Sequence, residues 1–166
     1  EQLHAFAAQT YGPTPALGTD PLAVEQVVDR LLLAQKPLII TSYSGRNPAT
    51  VAVLDALARL GGIRVIECNA VDLNIPHDSP CFGGFVPGAH VAQADVGLIV
   101  DVDVPWIPRD TPVDPQTWWA HIDVDIDKRS YPMWSFPRHL KMPGDSHRIL
   151  SQILERLQQR LNPAFT

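Results

Sequence analysis

The sequence predicts an α/β fold: a Rossmann-like, mainly parallel sheet of about five to six strands with helices on both faces. Three observations predict it. Short apolar runs such as Leu38-Ile39-Ile40 and Val96-Gly97-Leu98-Ile99-Val100 have the unbroken hydrophobicity of strands buried on both faces. Between them lie segments whose apolar residues recur at helical spacing. The two kinds of segment alternate, as β-α-β crossovers require. The 166 residues fit one domain, since a domain takes about 100–200 residues.

Residues 1–20, with Gly12-Pro13-Thr14-Pro15 and Gly18-Thr19-Asp20, read as an interdomain linker made of turn residues. Asp20-Pro21 sets an N-cap and a first-turn proline. Leu22, Val24, Val27, Val28, Leu31 and Leu32 then give a helix over roughly 21–35. Lys36-Pro37 stops it, and 38–41 is the first strand. After a loop at 42–46, Asn47-Pro48 repeats the cap and proline. Val51, Val53, Leu54, Leu57 and Leu60 form the second helix, ended by Gly61-Gly62. Residues 63–67 are the second strand. Residues 68–87 are irregular, and a loop of that length suggests a binding surface. A short helix near 89–94 leads into the third strand, 96–100. The stretch carrying Pro105, Pro108, Pro112 and Pro115 is loop. Residues 118–125 are the fourth strand and 139–142 a fifth. Asp145 caps the last helix, striped by Ile149, Leu150, Ile153, Leu154, Leu157 and Leu161. Residues 21–161 are thus the domain, and 162–166 a tail.

Composition excludes several classes of function. Thirteen Lys and Arg against eighteen Asp and Glu leave a net charge of −5, so the basic face that nucleic acid requires is missing. No apolar run approaches the roughly 20 residues that span a bilayer. Cys68 and Cys81 lack C-x-x-C spacing and read as reduced thiols of a cytoplasmic protein. The six His show no metal spacing, and neither G-x-S-x-G nor a P-loop is present. No catalytic residue and no metal ligand is assigned.

In an open α/β sheet, ligands settle at the carboxyl ends of the strands. The first such loop is Ser42-Tyr43-Ser44-Gly45-Arg46. Its backbone amides could hold a phosphate, with Ser42, Ser44 and Arg46 adding donors. Glu67 ends the second strand 22 residues after Gly45, the place of the acid that takes ribose hydroxyls in dinucleotide sites. The loop has one glycine rather than G-x-G-x-x-G, so the same residues also read as a plain strand-to-helix turn. Asp101 with Asp103, and Asp123 with Asp125 and Asp127, alternate as on one face of a strand. Asp101, Asp103, Asp123 and Asp125 complete a candidate nucleotide crevice. They could gather a hard cation; as strand-terminal acids they could equally face water or pair with Lys128 and Arg129.

Five segments carry a resemblance. In order they are Lys36-Pro37-Leu38-Ile39-Ile40, Ile75-Pro76-His77-Asp78-Ser79-Pro80-Cys81-Phe82-Gly83, Ala94-Asp95-Val96-Gly97-Leu98-Ile99-Val100, His121-Ile122-Asp123-Val124-Asp125 and Gly144-Asp145. Their order and spacing resemble the central domain of thiamine-diphosphate-dependent enzymes, the acetolactate synthase group in particular, over roughly residues 20–157. The resemblance implies a three-domain parent, a lyase or transferase that makes or breaks carbon–carbon bonds of 2-oxo acids with thiamine as the carbanion sink. A first domain would bind the pyrimidine and supply a catalytic Glu. A third would bind the diphosphate through Mg²⁺ at Gly-Asp-Gly followed by Asn. Gly144-Asp145-Ser146 is not that motif. The chain alone is therefore expected to be inert, a spacer between flanking domains of a homo-oligomeric (dimeric or tetrameric) parent.

The resemblance also implies FAD, or ADP, in the central domain of some members. Those that hold FAD carry Gly-Ala-Arg after the third strand, where this chain has Asp101-Val102-Asp103. Two carboxylates repel a phosphate; like charges 4 Å apart at an effective dielectric of 20 cost about 4 kcal/mol. FAD is thus expected to be absent or weak. The loops with Phe82, Phe85, Trp106 and Trp134 are expected to expose apolar patches for the neighbouring domains. Two other readings stay open. One is a free-standing NAD- or ADP-binding module using residues 42–46 and Glu67. The other is a metal-dependent hydrolase with its site among Asp101, Asp103, Asp123 and Asp125.

Overall fold

The computed structural model describes residues 17–131 and 134–162. Residues 1–16 of the expected linker and 163–166 of the expected tail lie outside them. The elements run α1 (Pro21–Leu33), β1 (Pro37–Thr41), a 3₁₀ turn (Ser44–Arg46), α2 (Pro48–Gly61), β2 (Arg64–Glu67), α3 (Gly88–Val91), β3 (Val96–Val100), β4 (Trp118–Asp123), β5 (Leu140–Pro143) and α4 (Ser146–Leu161). The five strands form one sheet in the order β2-β1-β3-β4-β5, parallel throughout.

Local chemistry explains the helix ends. Asp20 Oδ1 accepts from the Leu22 amide (2.9 Å), Asn47 Oδ1 from Ala49 (3.2 Å) and Asp145 Oδ1 from Arg148 (2.9 Å). Each cap satisfies an amide the helix leaves orphaned, and such caps contribute about 1 kcal/mol. Gly62 closes α2 at φ 61°, a left-handed conformation that suits glycine.

The sheet has two unlike faces. On one, Ile39, Val65, Leu98, Ala120, Ile122 and Met142 meet Val24, Val27, Val28 and Leu31 of α1, Leu54, Leu57 and Ala58 of α2, and Ile149, Leu150, Ile153 and Leu157 of α4. On the other, Leu38, Ile40, Ile66, Ile99 and Trp119 meet the single turn of α3 and the loop residues Val102 and Trp106, with Phe136 packed against them. Two expected core positions are corrected: Leu22 and Leu32 of α1 face solvent, because the helix meets the sheet on the Val24–Val28–Leu31 side. Leu161 of α4 is likewise exposed.

The outer edge beyond β2 holds an incomplete strand. Val65 pairs with Phe82 in a parallel bridge, and Val65, Gly83 and Glu67 amides bond across to Cys81, Val65 and Gly84 carbonyls. In the doubly wound order 3-2-1-4-5-6 this is the place of strand 3. Pro76, Pro80 and Pro87 lack the amides a longer ladder would need. Among the described residues no helix is long and apolar enough to cross a membrane.

Candidate functional site

The carboxyl edge of the sheet collects nearly every residue singled out from the sequence. The β1 loop is tied to the loops on both sides. Asp101, just past β3 in a left-handed conformation (φ 45°), presents its carbonyl to the Ser42 and Tyr43 amides, both at 3.1 Å. From the other side, Ser42 Oγ donates to the Asn69 carbonyl (2.7 Å), and the Asn74 side chain enters the turn itself. Asn74 Oδ1 accepts from the Gly45 amide (2.9 Å) and Ser44 Oγ (2.9 Å), with Thr41 Oγ1 3.4 Å away. Gly45 is glycine because this loop approaches so closely: a Cβ there would lie 1.9 Å from the Leu73 carbonyl oxygen.

Glu67 is buried and faces its own loop. Its Oε1 accepts from the Asn74 and Ile75 amides (2.7 and 3.2 Å), and its Oε2 lies 2.8 Å from His77 Nε2. His77 in turn stacks on Phe82, with ring centroids 4.4 Å apart.

A second cluster joins β3, β4 and the segment after β4. Lys128, 2% exposed, places Nζ 2.8 Å from Asp123 Oδ2, 2.9 Å from Asp103 Oδ1 and 2.7 Å from the Tyr43 hydroxyl. That hydroxyl is itself 3.1 Å from Asp103 and 3.0 Å from Asp123. Burial lowers a lysine, yet Asp123, Tyr43 and Asp103 outweigh it and hold Lys128 above its ordinary value. Burial raises Tyr43, and the two carboxylates add to the rise, so both groups keep their protons. Burial also works against ionised Asp123. The His121 ring, the Lys128 ammonium and the Asp125 amide overcome it and hold its carboxyl down at about 2. His121 is buried and held neutral by desolvation, its ring stacked on Trp134 at 4.7 Å.

Asp101 stands apart. Arg46 Nη2 reaches its Oδ1 at 3.2 Å. Burial pushes its carboxyl up to about 6; the charge of Asp123 adds to this, while Ser146, Arg46 and Lys128 oppose it. A group that holds its proton more tightly when folded stabilises the fold fully below its unfolded value. That contribution is lost as pH rises through about 6. Asp101→Asn is therefore expected to raise stability at pH 8 by on the order of 1 kcal/mol, and to flatten the stability profile between pH 4 and 6. Urea unfolding at several pH values measures this. A variant less stable at pH 8 would show that the Arg46 pairing outweighs the desolvation.

Several expectations change. The fourth strand ends at Asp123, not 125, because Asp123 Oδ1 takes the Asp125 amide (2.8 Å) and turns the chain. Asp125 and Asp127 therefore do not share a strand face with Asp123; Asp125 is exposed, and Asp127 pairs with Lys141 at 2.9 Å. Asp101 and Asp103 likewise lie beyond β3 and are separated, one to Arg46 and the other to Lys128. Of the two bases proposed as partners of the acids, Lys128 takes the Asp123 role and Arg129 reaches only Asp127. Among the described residues no three His, Cys, Asp or Glu gather as a metal site requires. Trp106 is buried against Trp119 and Phe136 rather than exposed. Trp134 is half-buried, its Nε1 donating to the Asp103 carbonyl. Phe85 is exposed, and with Val86 and Ile107 it rims a cavity of ≈ 380 Å³ floored by Cys68 and Trp106. Sequence reasoning missed Tyr43, Asn74 and His77. The available signal for the last two was an Asn and a His within ten residues of Glu67, in a loop that also carries Asn69, Asp72 and Asp78.

Chemically most of the charges at this edge are paired within the chain, with Asp101 Oδ2 and the His121 ring nitrogens left without a hydrogen-bond partner among the described residues. It offers carboxylates where a nucleotide phosphate needs cations, and four of the five amides of the 42–46 loop are engaged within the chain. These residues do not fit FAD or ADP. Nor does Gly144-Asp145-Ser146 fit a Mg²⁺-diphosphate: Asp145 caps α4, and a Cβ at Gly144 (φ 152°) would come 2.8 Å from the Leu17 carbonyl oxygen.

No family model and no curated protein matches the chain. Solved structures do. One is the X-ray structure of a proposed thiamin diphosphate-dependent enzyme isolated from Mycobacterium smegmatis, with TM-score 0.69 and 18% identity over 86% of this chain. Another is the benzoylformate decarboxylase of Polynucleobacter necessarius, with TM-score 0.68 and 19% identity over 86% of this chain. At such identity the likeness establishes a shared fold. This chain spans 29% and 28% of the lengths of those two chains.

Proposed function

We propose that the chain is the central domain of a thiamine-diphosphate-dependent, acetolactate synthase-like enzyme acting on 2-oxo acids, and that its role there is structural. The observation that carries this is the fold match, which covers most of this chain but under a third of two longer chains described as thiamine-dependent or as a decarboxylase. The motif register from Lys36 to Asp145 supports it. So does a carboxyl edge most of whose charges are paired internally, since a spacer needs no open site. On this reading the flanking domains hold thiamine diphosphate and Mg²⁺, the parent is a cytoplasmic homo-oligomeric lyase or transferase, and the Phe85–Val86–Ile107 rim is a surface on which a flanking domain docks. The alternative, a free-standing NAD or ADP module, needs Glu67 free for a ribose; its engagement with the Asn74 and Ile75 amides weighs against that.

Two measurements test the reading. The reading frame around this segment is expected to encode a Glu-bearing domain before it and Gly-Asp-Gly with a later Asn after it; a frame with neither sinks the proposal. The isolated chain, titrated with thiamine diphosphate and Mg²⁺, is expected to keep its thermal midpoint. A ligand at a hundred times its Kd adds about 2.7 kcal/mol, so binding would be plain as a rise of several degrees.

A further inference from the structure

We infer that the loop at 69–77 is the resident occupant of the β1 crevice. The Asn74 carboxamide sits where a nucleotide phosphate would be held, and the chain closes the site to ADP, NAD and FAD with its own side chain.

Four of the five amides in the 42–46 loop already donate within the chain. Ser42 and Tyr43 donate to the Asp101 carbonyl, Gly45 to Asn74 Oδ1, and Arg46 to the Tyr43 carbonyl. The Ser44 hydroxyl, the other donor expected for a phosphate, points to the same Asn74 oxygen. Asn74 is fully buried, and its Nδ2 donates to the carbonyls of Ser42 (3.0 Å) and Asp72 (2.7 Å), with Glu67 Oε1 at 3.3 Å. This pocket therefore needs one group that accepts on one side and donates on the other. A carboxamide does both; an ionised phosphate accepts only. A phosphate placed here would meet two carbonyl oxygens and a buried carboxylate. The single glycine of the loop points the same way, since its missing Cβ makes room for the Leu73 carbonyl rather than for a ligand. The acid that would take a ribose, Glu67, is held by the same loop. This inference rests on geometry within the chain and stands whichever larger protein the domain serves.

The test is nuclear magnetic resonance on the wild-type chain. A scalar coupling across the hydrogen bond from the Gly45 amide to the Asn74 side-chain carbonyl is expected, and it should persist with ADP, NAD or FAD in millimolar excess. The amide resonances of 42–46 should not move. Asn74→Ala should speed exchange of the Gly45 amide roughly tenfold, as loss of a buried partner does. Should that variant not fold, the wild-type coupling and titrations decide alone. Absence of the coupling, unchanged Gly45 exchange in a folded variant, or saturable movement of the 42–46 amides with any of the three nucleotides overturns the inference.

Discussion

Replacing Lys128 by Met is expected to lower the unfolding free energy by about 3–5 kcal/mol, the cost of removing one partner from a buried ion pair. Lys128 and Asp123 are 2% and 1% exposed, and Nζ also serves Asp103 and Tyr43. Without the ammonium, Asp123 is a buried charge left to neutral donors, the Tyr43 hydroxyl and the Asp125 amide, beside a His121 ring that desolvation keeps neutral. The residue also sits at φ 47°, a left-handed conformation that costs a non-glycine residue about 1–2 kcal/mol and persists because the pairs over-determine it. Adding Asp123→Asn to Lys128→Met should recover part of the loss, because the amide needs no counter-charge. Arg109→Ala, at a pair exposed by 88% and 55%, should change stability by no more than about 0.5 kcal/mol. Urea unfolding at pH 7 reads all three. A Lys128→Met loss below about 1 kcal/mol, the range of surface pairs, would mean that the cluster does not hold the 124–131 segment to the sheet.

Trp119→Ala is expected to cost about 3–5 kcal/mol, the range for a large buried aromatic. Trp119 is fully buried in β4 and touches Trp106, with centroids 4.9 Å apart. Its ring lies over Gly97, its direct partner in β3, where an added Cβ would come 2.1 Å from Cζ3. Gly97→Ala alone should therefore cost about 1–3 kcal/mol by overpacking. In the Trp119→Ala background the same change should be near neutral, since the space it invades has been vacated. The difference is the coupling between the pair. Equal costs in both backgrounds would show that the ring is not what requires glycine at 97.

The candidate site divides along the distance between partners. Ser42, Ser44, Gly45, Arg46, Glu67, Asp101, Asp103 and Asp123 were legible because strand ends are legible, and an α/β sheet gathers its strand ends at one edge. Their roles were not. The ribose acid faces a loop, the phosphate loop holds an asparagine, and the acids that alternate in sequence go to different partners. Asp125 was misplaced because period-two spacing continues past the point where a side-chain bond turns the backbone. Trp106 reads in sequence as a loop aromatic, and only the fold shows that the second sheet face, which among the described residues has no long helix over Trp119, takes the indole as cover.

What the sequence determined by itself is therefore local: the caps at Asp20, Asn47 and Asp145, the first-turn prolines, the Gly62 stop, and apolar runs that must be buried on both faces. These follow from dihedral preference and periodicity, which act over a few residues. What the tertiary structure alone decided is the partner of each buried polar group. Asn74 reaches Ser42 across 32 positions, and Lys128 reaches Tyr43 across 85. A desolvated donor or charge takes whichever complementary group chain closure brings within about 3 Å, and no local pattern encodes that choice.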